Sequence, residues 1–321
     1  MNETESDVND YNVIRGSIVG VTSILIITLG LFSLFVLPKV SSIQDTTKVF
    51  LRSMTVANLG VGFVIAVPAT LSVICENCGD STLCGIKAFL GIILTCMSNL
   101  SLLILTVDRY ISVVHALQYN ALVTVRRARI AVCCVWGIGT LLATSLGFLN
   151  EWRSIFSLKT MMCVFYLDKV HQEYIQYMMV ISLCITTSSL LVVLITYTRL
   201  FIISRHHARQ INALNNQLAL ARNQPEPPRP NHKAVHTMLL IVLVACFASL
   251  PAVILTFCFS VFQQDSNITV FFLSVFPSLT NSWSNEMIYY LRNAGFRQTA
   301  RTLVTSWYQY FKRHIPFIKT N

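Results

Sequence analysis

The sequence predicts an all-α membrane protein: a bundle of seven transmembrane helices, N-terminus outside, followed by a short amphipathic interfacial helix. Three observations carry this. Of the 321 residues 54% are hydrophobic and only 12% are charged, against roughly 25% charged in a soluble domain. The mean hydropathy is +0.60, and the apolar residues gather into runs near the roughly 20 residues that a helix needs to cross a bilayer. Charge is also partitioned. Of the 24 Lys and Arg, only Arg15, Lys87, Arg153, Lys159 and Lys169 fall on the side assigned to the N-terminus, together with the acids Glu3, Glu5, Asp7, Asp10, Glu76, Asp80, Glu151, Asp168, Glu173 and Asp265. That is the positive-inside asymmetry. The net charge of +10 therefore describes a basic cytoplasmic face that meets anionic lipid and an acidic partner, with no need of nucleic acid.

The seven runs lie near Ile18–Leu37, Val49–Ile74, Ile86–Val114, Ile130–Leu149, Tyr177–Ile203, Met238–Val261 and Val270–Leu291. They divide the chain into an extracellular segment 1–17, a membrane domain 18–291 and a helix with cytoplasmic tail 292–321. The first 17 residues lack a basic stretch leading into an apolar one, so no cleavable signal peptide is expected. Asn2 and Asn267 head glycosylation sequons on outer segments, whereas the sequon at Asn99 lies within a span. The long inner loop ends in Pro225, Pro227, Pro228 and Pro230, which favour an extended connector over a helix. After the seventh run Phe296, Ala300, Leu303 and Trp307 recur at helical spacing with Arg297 and Arg301 between them, the pattern of a basic helix lying in the membrane interface. Cys96, Cys133, Cys134, Cys184 and Cys246 fall within spans and read as small apolar packing residues. Cys75, Cys78, Cys84, Cys163 and Cys258 fall on the outer, oxidising side.

The third run ends in Leu105-Thr106-Val107-Asp108-Arg109-Tyr110. An arginine beside hydrocarbon is costly and rarely lacks a partner and a task; Asp108 is the adjacent partner. His206-His207 and the pair His232/His236 have no further ligands to complete a metal site, and no nucleophile–base pair or phosphate-cradling glycine loop stands where it would support catalysis. An enzyme, a metal and a cofactor are accordingly not expected.

Register ties these residues together. Cys84 precedes Arg109 by 25 residues, Trp136 follows it by 27, and Pro251 precedes Glu286 by 35, within Asn281-Ser282-Trp283-Ser284-Asn285-Glu286-Met287-Ile288-Tyr289. From the first span to the helix after the seventh, the pattern resembles the rhodopsin-like (class A) G-protein-coupled receptors, which implies a multi-pass plasma-membrane receptor whose partner is a heterotrimeric G protein. The resemblance implies an activation switch in which Asp108 holds Arg109 at rest, Tyr110 completes the motif, Tyr197 and Tyr289 swing toward Arg109 on activation, Pro251 hinges span six and Asn285 belongs to the span-seven motif. It also implies a Cys84–Cys163 disulfide tying the long outer loop over a ligand pocket formed by Ile92, Thr95, Ile181, Ser182, Ala252, Val253, Thr256, Phe272, Val275 and Leu279.

Departures from the family pattern shape the expectation. Leu31, just after Gly30, stands where the span-one asparagine is usual, Asn58 where span two carries its sodium-binding aspartate, Ser189 for the span-five proline, Ser249 for the span-six tryptophan, Glu286 for the span-seven proline and Asn231 for an acidic partner of the arginine. Weakened sodium control and an altered internal switch follow. Glu286 is expected to join Asn58, Ser98, Asn281 and Asn285 in a mid-bundle polar cluster, because a carboxyl inside a helical bundle is costly unless paired, hydrated or protonated. Gly91 occupies the position of the ammonium-binding aspartate of amine receptors and span seven has no lysine, which disfavours monoamines and retinal. The exit of span five, Tyr197 to Arg205, shares features with adenosine and melanocortin receptors without assigning a subfamily. A different reading is a non-signalling scavenger or chaperone-type membrane protein.

Overall fold

A computed structural model gives the architecture. It describes residues 2–74, 81–115, 117–149, 151–157, 161–165 and 268–314, with scattered positions between 187 and 258. In chain order these are helix α1 (Asn2–Val36), a 3₁₀ turn Leu37–Lys39, α2 (Asp45–Val61), a π turn Gly62–Ala66, α3 (Val67–Ile74), α4 (Ser81–Val114), the one-turn α5 (Tyr119–Leu122), α6 (Val125–Leu149), strands β1 (Ser154–Ser157) and β2 (Met162–Phe165), α7 (Ile268–Arg292) and α8 (Ala294–His314). The described positions between 187 and 258 are helical.

Among the described residues four segments, Asn12–Lys39, Asp45–Ser72, Thr82–Ser112 and Val125–Leu149, are long and apolar enough to cross a membrane. They contain most of each of the first four predicted runs. α7 has 25 residues, about 37 Å at 1.5 Å per residue, which also suffices for a crossing; its polar block Asn281–Glu286 keeps its hydropathy lower. The fifth and sixth predicted runs fall largely outside the described residues, apart from positions such as the apolar helical stretch Leu194–Ile203.

Helix α1 starts at Asn2 and has 35 residues, about 52 Å. Gly30 faces the bundle, where a Cβ would stand 2.7 Å from Leu59 Cγ, while its neighbour Leu31 is 42% exposed. Cys133 and Cys134, expected as packing residues, are exposed on α6. Pro68 explains the π turn before it: its ring blocks the helical carbonyl four residues back, and the backbone absorbs the clash in one wider turn. Pro277 likewise lies within α7, where the Thr280 hydroxyl donates to the Pro277 carbonyl at 2.6 Å.

α2 and α4 form the centre of the described bundle. Their approach is close because Gly60 has no side chain; a Cβ there would lie 2.5 Å from Leu94 Cδ2. At the end carrying Asp108, Val36, Met54, Leu105, Ile288 and Phe296 share one buried cluster, which seats α8 on α1 and α7. α8 carries Trp307 against Phe35 with ring centres 6.0 Å apart. At the opposite end β1 and β2 pair antiparallel with Phe156 facing Cys163, a hairpin absent from the sequence reading. α6 ends where Glu151 and Trp152 adopt left-handed φ of 50° and 59° and the Trp152 N–H donates to Gly147 O at 2.8 Å. The Trp152 ring then packs among Phe89, Phe148 and Phe165.

Candidate functional site

The Asp108 end of α4 is a closed hydrogen-bond network. The Asp108 carboxylate is buried, with 1% of its side chain exposed, and a charge taken out of water this far costs several kcal/mol unless donors surround it. They do. Oδ2 accepts from the Thr47 hydroxyl at 2.9 Å and from Arg109 Nη2 and Nε at 2.6 and 3.1 Å. Oδ1 accepts from the Tyr119 hydroxyl at 2.6 Å. Since that phenol proton is committed to Asp108, the Thr46 hydroxyl, 2.7 Å away, donates to the phenol oxygen. Thr47 in turn accepts from Arg109 Nη2. Burial first, and then the bond to Asp108, push the Tyr119 phenol above its ordinary value, so it remains a donor at physiological pH.

The local sequence builds this network. Thr46 and Thr47 open α2, and Tyr119 sits on the one turn of α5, which Arg127 anchors by donating to Ala121 O and Leu122 O, both at 2.9 Å. Three elements thus converge on one carboxylate, and Arg109 is turned toward α2 with 22% of its side chain exposed. Sequence reasoning found Asp108 and Arg109 but missed Thr46, Thr47 and Tyr119. Their signal was weak, since threonines at a helix start and a tyrosine in a loop are individually ordinary.

A second polar node lies mid-bundle. Asn58, Ser98, Asn281, Asn285 and Glu286 are all buried. The Ser98 hydroxyl donates to Asn58 Oδ1 at 2.7 Å, and Asn58 Nδ2 donates to Glu286 Oε1 at 3.3 Å. Asn285 Nδ2 approaches Asn281 Oδ1 at 3.4 Å. Among the described residues Glu286 Oε2 and Asn285 Oδ1 find no hydrogen-bond partner. α2, α4 and α7 are joined through this chain of side chains. Nearby, Trp136 Nε1 on α6 donates to Ser53 Oγ of α2 at 3.2 Å.

The remaining expected site residues divide by placement. Cys84 and Cys163 form a disulfide with Cα atoms 5.2 Å apart, fastening the hairpin to the start of α4. Of the pocket positions, Ile92 packs beside a cluster with Ile93, Met97 and Val135, and Phe272 and Leu279 are buried in another that includes Leu94 and Met161; Trp136 packs against both clusters. Thr95 is exposed on α4. Phe272 stacks on Phe276 at 5.5 Å and carries the Arg15 guanidinium 5.5 Å above its ring. Val275 and Tyr289 are placed by the α7 backbone alone, and Pro251 is helical and half-buried. Tyr110 is half-buried on α4, and Asn2 opens α1. Ile181, Ser182, Ala252, Val253, Thr256, Tyr197 and Asn267 lie outside the described residues, as do Cys75, Cys78, Cys184, Cys246, Ser189, Asn231 and Ser249. Among the described residues no group of three or more His, Cys, Asp or Glu is placed to hold a metal ion.

Comparison with known proteins agrees with this architecture. Residues 21–289 match the family described as 7 transmembrane receptor (rhodopsin family). The chain is 30% identical over 290 residues to the dog adenosine receptor A2a, covering 86% of this chain and 68% of that one. It is 29% identical to the human adenosine receptor A2a, covering 83% and 66%, and 26% identical to the mouse G-protein coupled receptor 52, covering 93% and 84%. The chain spans about two thirds of the length of these adenosine receptors. A Cys84–Cys163 disulfide, an Asp108–Arg109 pair with its carboxylate buried, a helix after α7 and a family match over residues 21–289 lead to one statement: the chain belongs to the rhodopsin family of seven-transmembrane, G-protein-coupled receptors.

Proposed function

We propose that this receptor binds an extracellular ligand in the disulfide-bearing half of its bundle and activates heterotrimeric G proteins through the Asp108–Arg109–Tyr110 end of α4, at the plasma membrane. The observation that carries the reading is the saturated Asp108 carboxylate. Arg109 is bound to it and to Thr47, and is therefore withheld from any cytoplasmic partner in this state. Activation requires those charge-assisted bonds to be exchanged for bonds to the G protein, each worth about 1.5–3 kcal/mol. A ligand achieves this only by binding the released state more tightly than the resting one.

In this reading Asp108 and Tyr119 hold Arg109, Tyr197 and Tyr289 receive it, and Pro251 hinges the helix whose movement opens the cleft. The mid-bundle cluster around Glu286 takes the place of the acid that span two lacks. The relatives named adenosine receptors make nucleosides the first ligand class to screen, and the absence of an acid at Gly91 ranks monoamines last. The test is ligand-free Gα nucleotide exchange in cells, comparing wild type with Arg109→Ala at matched surface expression. Signal in the wild type that vanishes in the variant supports the proposal. A ligand that binds and is internalised without any exchange dependent on Arg109 favours the scavenger or chaperone-type reading instead.

A further inference from the structure

Beside the Asp108 network, on another face of α4, lies a groove of about 190 Å³ lined by Val107, Tyr110, Ile195, Thr196 and Arg199. Successive residues of a helix turn by about 100°, so Tyr110 is carried away from α2, where Arg109 is bound, and toward the fifth apolar stretch. Val107 and Ile195 are 44% and 55% exposed. Apolar side chains so exposed within membrane-spanning segments face acyl chains, so the groove opens to lipid. Its polar end is supplied by the Tyr110 phenol and the exposed Arg199 guanidinium. Among the described residues no carboxylate forms an ion pair with Arg199, and the chain has no acidic residue between Glu173 and Glu226.

Apolar walls closed at one end by a cation and a hydroxyl match an amphiphile with an anionic head. Arg199 also lies level with the Asp108–Arg109 boundary, on the side that the charge asymmetry assigns to the cytoplasm, where the leaflet carries anionic lipid. We propose that this groove binds an anionic phospholipid of the inner leaflet, its phosphate held by Arg199 and Tyr110 and its acyl chain laid along Val107 and Ile195. Such a lipid would bridge α4 and the fifth apolar stretch one residue from Arg109.

The test uses the purified full chain in phosphatidylcholine nanodiscs doped with phosphatidylserine, with retained lipid counted by native mass spectrometry. Arg199→Gln should lower retained phosphatidylserine about fivefold, the effect of one arginine at a lipid surface. Arg199→Lys should keep most of it. Val107→Trp, which fills the apolar part of the groove and leaves the arginine in place, should lower it as well, and remains readable if Arg199→Gln fails to fold. Arg297→Gln, on the basic helix α8, should retain the wild-type amount. Equal retention by wild type, Arg199→Gln and Val107→Trp would overturn the proposal. So would an equal loss in Arg297→Gln, because retention would then follow overall basic charge. A third refuting result is that Arg199→Gln reduces Gα exchange equally in pure phosphatidylcholine and in the doped discs, which would make the groove a protein contact.

Discussion

Tyr119→Phe isolates one contact of the resting network. The substitution keeps the ring in its buried place and removes a single hydroxyl, which donates to Asp108 Oδ1 at 2.6 Å and accepts from Thr46. A hydrogen bond to a charged group contributes about 1.5–3 kcal/mol. The lower figure applies, because Asp108 keeps Thr47 and two nitrogens of Arg109 on its other oxygen. Destabilising the resting state by about 1.5 kcal/mol raises the population of released Arg109 about tenfold while that state is the minority. Ligand-free Gα nucleotide exchange, measured at matched surface expression, should therefore rise about tenfold in Tyr119→Phe. Arg109→Ala in the same background should abolish the gain. Thr46→Val, which touches only the phenol, should give a smaller rise. If Tyr119→Phe stays at the wild-type level, or at the level of Arg109→Ala, then the carboxylate network does not hold the resting state and the reasoning fails.

Three further substitutions probe the packing behind this switch. Asn58→Asp sets a second carboxyl against Glu286 across the 3.3 Å contact and should lower the thermal midpoint of the purified protein, since like charges this close cannot both ionise; adding Glu286→Gln restores a donor–acceptor pair with roles exchanged and should recover most of the loss. Gly60→Val forces side-chain atoms into Leu94 and should cost about 1–3 kcal/mol of overpacking, with Leu94→Ala relieving part of it in a double-mutant cycle. Cys84→Ser opens a disulfide spanning 79 residues, a constraint of up to about 4 kcal/mol on the unfolded chain; surface expression should fall and limited proteolysis should cut within 154–165.

The sequence showed the bundle because length and hydropathy are enough to define membrane crossings, and it showed Asp108–Arg109 because a charge beside hydrocarbon has few uses. It did not show Tyr119 as their partner. That contact depends on α5 folding back under α2, which rests on Arg127 capping carbonyls of the preceding turn, and no periodicity announces such a cap. The inward face of span one was not legible for a similar reason: one residue turns a helix by about 100°, so an apolar run does not say whether Gly30 or Leu31 faces inward, while the Leu59 side chain does. The hairpin of β1 and β2 is too short, at four residues per strand, to leave an alternation that stands out from a loop. The mid-bundle cluster was legible in composition, since asparagines and a glutamate in an apolar run call for partners, but not in its order, with Ser98 and Asn58 as relays to Glu286.

Both polar nodes draw on the same helix pair. α2 contributes Thr47 to one node and Asn58 to the other, 11 residues apart, which is about three turns and hence the same face. α4 contributes Asp108 and Ser98. Beyond the Asn58–Ser98 contact, Gly60 lets the two helices approach so closely that a Cβ there would overlap the Leu94 side chain. The attachments on the outside of the pair run through single side chains: α5 reaches Asp108 and Thr46 through the Tyr119 phenol, and α7 reaches Asn58 through one Glu286 carboxyl oxygen at 3.3 Å, the second oxygen having no partner among the described residues. Counted by these bonds alone, α5 and α7 are joined to the α2–α4 pair by fewer hydrogen bonds than join Asp108 to its surroundings, and the acid that sits on α7 instead of α2 belongs to one of these lighter attachments.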